Sequence, residues 1–106
     1  MARHHHVYVI ELSPGVLRRV RFRRANPHHD PILPCVYVGS TGLQPEERLA
    51  NHLAGIKACP FVKQFGLRLL PHLYEGYNPM SWREALTKEV ELAELLRRQG
   101  FAVWQN

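Results

Sequence analysis

Long apolar runs, cysteines and acidic residues are all scarce in this chain, and each shortage excludes something. No stretch approaches the ~20 apolar residues that a membrane-spanning helix needs. The apolar run from Val7 to Leu12 is broken by Glu11 and is too short for a signal peptide. The expectation is a cytoplasmic protein with no membrane association. The two cysteines, Cys35 and Cys59, belong to no CxxC pair and do not read as a disulfide framework. They read as buried free thiols in a reducing compartment. Histidines stand at 4–6 and in His28-His29-Asp30, but adjacent histidines in a strand point to opposite faces, and no Cys/His spacing fits a structural zinc site. No repeats or low-complexity tracts occur. Acids number 9 against 14 Lys+Arg, a net charge of +5. Such a surface attracts polyanions, and nucleic acid is the commonest polyanion in a cell.

What is present suffices for one compact domain: 106 residues, of which 45% are hydrophobic. Residues 6–12 are rich in β-branched and aromatic side chains and predict a strand. Ser13-Pro14 has the form of a helix start. From Val16 to Arg24 the pattern is mixed: Val20 and Phe22 alternate as in a strand, while Leu17, Val20 and Arg24 fit a helix. The cap decides for a helix over about 14–25, which places Arg18, Arg21 and Arg24 along one side with Leu17 and Val20 beside them. Residues 28–34 are a proline-punctuated loop. Cys35 to Val38 is a second strand stopped by Gly39. A helix opens at Pro45, with Glu46 and Glu47 in its first turn, and closes at Gly55. A further helical turn spans Phe61 to Phe65, and a third strand, which Pro71 makes an edge strand or a bent one, spans Leu67 to Tyr74. The capping box Ser81-Trp82-Arg83-Glu84 starts a helix that runs to Gly100. Phe101 to Trp104 is a short closing strand. The class is α/β in the α+β sense, with strands and helices mixed along the chain.

Five side chains stand out. Glu89 lies in the apolar stripe of the last helix, formed by Ala85, Leu86, Leu92, Ala93 and Leu96. A carboxylate there is costly unless compensated, either by a buried arginine or by a metal ion. Arg48 and His52 are four apart on one helical face, beside Leu49 and Leu53. Arg48 is either a snorkelling side chain or a planar charge for a phosphate. Tyr8 and Tyr37 fall in neighbouring strands, where tyrosine ordinarily packs.

Taken in order, His6-Val7-Tyr8, then Cys35-Val36-Tyr37-Val38-Gly39-Ser40-Thr41, then Arg48 with His52, then Glu84-Ala85-Leu86 followed by Glu89, the chain resembles the GIY-YIG nuclease domain. The first half-motif is degenerate, with His6 and Val7 where the name implies Gly and Ile. The second is nearly intact as Tyr37-Val38-Gly39. Familiar members join the two motif strands by a much shorter turn. The excess here is Ser13 to Pro34, which carries arginines at 18, 19, 21, 23 and 24.

The resemblance implies a three-stranded antiparallel sheet flanked by helices, with a helical insertion between the first two strands and the active site on one sheet face. It implies a divalent-metal-dependent endonuclease acting on nucleic acid, chiefly DNA. Glu89 would hold one Mg²⁺ or Mn²⁺ and Arg48 would neutralise charge on the phosphate. Tyr8 and Tyr37 would position the attacking water. One phenol, its pKa lowered by nearby cations, takes the proton, with His52 as the rival base. Arg18, Arg21 and Arg24 would follow a phosphate backbone. Specificity would come from the insertion, a protein partner or a homodimer. The alternatives are an inactive nucleic-acid-binding module of the same fold, and an α/β domain whose basic surface is merely solvated.

Overall fold

A computed structural model describes residues 3–105. The strands are β1 (His6–Leu12), β2 (Cys35–Thr41), β3 (Gly66–Leu69) and β4 (Ala102–Gln105). The helices are α1 (Val20–Arg24), α2 (Pro45–Leu53), α3 (Pro60–Phe65) and α4 (Trp82–Arg98). The result is an α+β fold around a four-stranded mixed sheet in the order β3-β1-β2-β4. β1 runs antiparallel to both β2 and β3, but β4 lies parallel to β2. In place of the expected three-stranded antiparallel sheet there is a four-stranded mixed one, whose fourth strand, β4, is parallel to its neighbour. β4 is parallel because α4 carries the chain back along the sheet before β4 begins.

Local signals account for most elements. Ser81 Oγ accepts the Glu84 amide and Glu84 accepts the Ser81 amide, the full capping box that starts α4. Pro45 occupies the first turn of α2, whose Gln44 and Glu47 form a second box. Gly55 and Gly100 take left-handed φ of +80° and +107° just beyond α2 and α4, as helix exits demand.

Four segments depart from expectation. β2 continues through Gly39 to Thr41, because Gly39 to Thr41 pair with Tyr8 to His6 and the ladder outweighs glycine's weak strand preference. β3 ends at Leu69, since Pro71 has no N–H to give a ladder, and two 3₁₀ turns follow at Pro71–Leu73 and Glu75–Tyr77. The stretch 14–25 is not one helix. A 3₁₀ turn at Pro14–Arg18 and the short α1 are separated by Arg19 in extended backbone (φ −79°, ψ 118°). The break buries Val16 and Phe22 and leaves Val20 exposed. Finally, Leu86 and Leu53 lie exposed at the margins of their helical stripes, while Ala85, Leu92, Ala93 and Leu96 are buried.

The two buried cysteines are unpaired. Among the described residues no helix is long and apolar enough to cross a membrane. The β4 edge is closed by a side chain. Asn26, buried at the end of α1, accepts from the Val103 amide at 2.7 Å and donates to the Val103 carbonyl at 3.0 Å. Asn78 does the same for Val7, at 2.9 and 2.8 Å. Each carboxamide stands in for a missing strand, Asn26 along the β4 edge and Asn78 along the part of β1 that the β3 ladder does not reach.

Candidate active site

Strand alternation sorts the site residues. Tyr8 faces Gly39 and Ile10 faces Tyr37 across β1 and β2, so both tyrosines share one sheet face. α2 brings His52 to that face: its Nε2 lies 2.9 Å from the Tyr8 hydroxyl, and its ring meets Tyr37 edge-on at 5.3 Å. Ser40 alternates to the opposite face, where α4 lies. There its hydroxyl donates to Glu89 Oε1 at 2.7 Å, and the Gln105 carboxamide donates to Glu89 Oε2. The candidate set is therefore divided between the two faces at the C-terminal end of β2, not gathered on one. The reason is the period of two, which turns Ser40 away from Tyr37.

Gly39 makes the phenol arrangement possible. A Cβ there would lie 2.5 Å from the Tyr8 hydroxyl and 2.9 Å from Tyr37 Cε2. The absent side chain of the Tyr37-Val38-Gly39 motif is the space that the two rings fill.

Tyr8, Tyr37 and His52 are buried, at 1%, 4% and 0% exposure. Arg48, Ser40, Glu89 and Gln105 are partly exposed, so these form the part of the set that meets solvent. Burial pushes the Tyr8 phenol up to about 12; Arg48 and Tyr37 pull against this and Glu89 adds to it. Burial also raises Tyr37, helped by Tyr8, Cys59 and Glu89. The expectation that cationic charge lowers these phenols is corrected. Arg48 acts in that direction, but desolvation of the phenolate is the larger effect. Burial, and secondarily Arg48, lowers His52 to about 4.

Arg48 is fixed by the loop that follows its own helix. Its two terminal nitrogens donate to the carbonyls of Ile56 at 3.2 Å and Lys57 at 2.8 Å. Lys57 takes a φ of +46°, uncommon for a side-chain-bearing residue, just after Gly55 at +80°. This turn aims two successive carbonyls at one guanidinium.

Glu89 is compensated by a hydroxyl and a carboxamide, not by a buried arginine. Each of its oxygens accepts one bond and retains further lone pairs, and its carboxylate is partly exposed. One such carboxylate, oriented by neighbours, fits a Mg²⁺ ion that keeps most of its waters. Among the described residues no three His, Cys, Asp or Glu side chains converge as a fuller ligand set.

The insertion's arginines do not form a row. Arg18 ends the 3₁₀ turn, whereas Arg21 and Arg24 belong to α1 beyond the break at Arg19. The Arg21 guanidinium lies 5.3 Å over the Trp104 ring, and Arg19 lies 5.7 Å over Phe65. Sequence reasoning gave no role to Ser40, Gln105 or Cys59, the direct partners of Glu89 and His52. Ser40 lies within the quoted motif, but nothing local marks the other two. Comparison with protein-family models, curated proteins and solved structures finds no match to this chain.

Proposed function

We propose that the chain is a metal-dependent nuclease of the GIY-YIG type, hydrolysing phosphodiester bonds in DNA. The observation that carries this reading is the convergence on Tyr8. His52 bonds its oxygen, Tyr37 lies beside it and the Arg48 charge acts on it, while Glu89, held on the other sheet face by Ser40, is still close enough for its charge to act on the phenol. Four separate elements supply these groups, and packing alone has no need of that combination.

Glu89, oriented by Ser40 and Gln105, would hold one Mg²⁺ or Mn²⁺; when bound, the ion polarises the scissile phosphate and stabilises the leaving oxygen. Arg48 has two N–H groups committed to carbonyls, and its remaining donors present a fixed positive charge to a phosphate. The phenols, raised and buried, are assigned to positioning rather than to taking a proton. His52 holds the Tyr8 oxygen in place.

An inactive binding module is the second reading, and the burial of both phenols favours it. Plasmid nicking with and without Mg²⁺, run beside a binding assay, separates the two. Mg²⁺-dependent nicking that is lost in Glu89→Gln supports the nuclease. Binding without nicking leaves the module, and neither activity removes both.

A further inference from the structure

At the end of the sheet away from Ser40, a groove of about 520 Å³ opens between the loop after α1 and the last turns of α4. That volume falls in the ~300–1,000 Å³ range of small-molecule sites. Its walls carry Pro27, His28, Phe101, Glu94 and Arg98.

The groove is held rigidly. Asn26 makes four hydrogen bonds, to Phe22, to both backbone groups of Val103 and to Arg97 Nε. His29 Nε2 pairs with the Leu33 carbonyl at 2.9 Å, and the Asp30 amide donates to the Gly100 carbonyl at 2.8 Å. A Cβ on Gly100 would meet Asp30 Cβ at 3.0 Å and Leu33 at 3.1 Å, so glycine lets the loop seat on the α4–β4 corner. Arg97 is tied to this frame through Asn26 and the Val103 carbonyl. His28, Arg98 and Glu94 are exposed.

We propose that this groove binds one unpaired nucleotide of a nucleic-acid strand. The base lies against Phe101 and Pro27 beside the His28 ring, and the phosphate lies on Arg98. Flat apolar and imidazole faces suit a base, and the guanidinium suits its phosphate. Glu94 repels phosphate but accepts from an exocyclic amino group, which selects cytosine over thymine. The occupant is a strand and not a free nucleotide because further positive charge stands beside the groove, on exposed Arg24, two residues before the groove-lining Asn26. A base paired in a duplex cannot enter.

This inference rests on the nucleic-acid reading above, and the test keeps the two apart. Labelled oligodeoxycytidylate and oligothymidylate of about 12 nucleotides, and a duplex of that length, are titrated by fluorescence anisotropy in EDTA, so that nothing is cleaved. The wild type binds the cytidylate more tightly than the thymidylate. Arg98→Ala with His28→Ala weakens cytidylate binding by about tenfold or more, the worth of one stacked base, and barely alters duplex binding. Glu94→Ala removes the cytidylate preference. Single-strand affinity unchanged in the double variant, or lost equally on the duplex, overturns the groove and leaves the nucleic-acid reading standing. A wild type that binds none of the three at low salt overturns both.

Discussion

Nε2 of His52 lies 2.9 Å from the Tyr8 hydroxyl while Nδ1 of the same ring accepts the Cys59 amide at 3.2 Å. A nitrogen that accepts an N–H carries no proton, so the neutral ring holds its hydrogen on Nε2 and donates it to the phenol oxygen. Protonating Nδ1 would set two donors face to face in a buried site. His52 is thereby removed as a general base at neutral pH and becomes the group that fixes Tyr8.

The pairing has a consequence for stability. Burial and Arg48 lower His52 from 6.5 to about 4. Between these values the unfolded chain binds a proton that the folded chain refuses, so stability falls as pH drops from 6.5 towards 4 and is level above. At ~1.4 kcal/mol per tenfold, the full loss is about 3 kcal/mol. His52→Phe is less stable at pH 7 but lacks this slope. Urea midpoints of both proteins across this range check it, and parallel profiles would contradict the assignment.

Gly39→Ala places a methyl 2.5 Å from the Tyr8 hydroxyl and 2.6 Å from its Cζ. The ring must leave His52, since the backbone is held by the β1–β2 ladder. The expected cost is about 1–3 kcal/mol, the range for an overfilled core. It should be read by urea denaturation, together with loss of the His52–Tyr8 coupling in the imidazole NMR resonances. A variant of wild-type stability would show that the phenol is free to move.

Much of this fold is written locally. The Ser81–Glu84 box, Pro45 with its two glutamates, and the β-branched run at 6–12 each declare an element through neighbours in sequence. The direction of β4 is not declared, because an apolar strand of four residues pairs either way and only the path of α4 decides. The insertion misled for a physical reason. Val16 and Phe22 are both buried, but a 3₁₀ turn, an extended Arg19 and a helical turn separate them, so no single period describes the segment. At the site, the order Tyr8, Tyr37, Arg48, His52, Glu89 is readable along the chain. The division between sheet faces is not, and neither are the tertiary partners Gln105 and Cys59.

Ser40 and Gln105 orient Glu89, so their loss should act through it. Ser40→Ala removes the 2.7 Å donor without touching the carboxylate. Neighbours that orient a metal ligand are typically worth ~10–100-fold in metal affinity or activity. The expected result is a raised Mg²⁺ requirement for nicking, with near-normal activity at saturating Mg²⁺. Glu89→Gln should be inactive at any Mg²⁺ concentration. A Ser40→Ala titration that overlays the wild type would make the hydroxyl a packing contact.

Arg48→Lys tests whether shape or charge matters. The guanidinium spans two carbonyls, Ile56 and Lys57, that the turn at 55–57 aims at it. An ammonium is compact and cannot hold both while also facing a phosphate. A hydrogen bond to a charged group contributes ~1.5–3 kcal/mol. The loss of one should therefore loosen the 55–57 turn and lower the urea midpoint. Tyr8, relieved of the fixed cation that opposes its burial, should ionise at still higher pH. Nicking should fall by tenfold or more, in keeping with a loss of at least 1.4 kcal/mol from the transition state. Hydrogen exchange at Ile56 and Lys57 reports the turn, and the plasmid assay reports the chemistry. Faster exchange with full nicking would confine Arg48 to holding its loop. Unchanged exchange with full nicking would mean that any positive charge at this position serves.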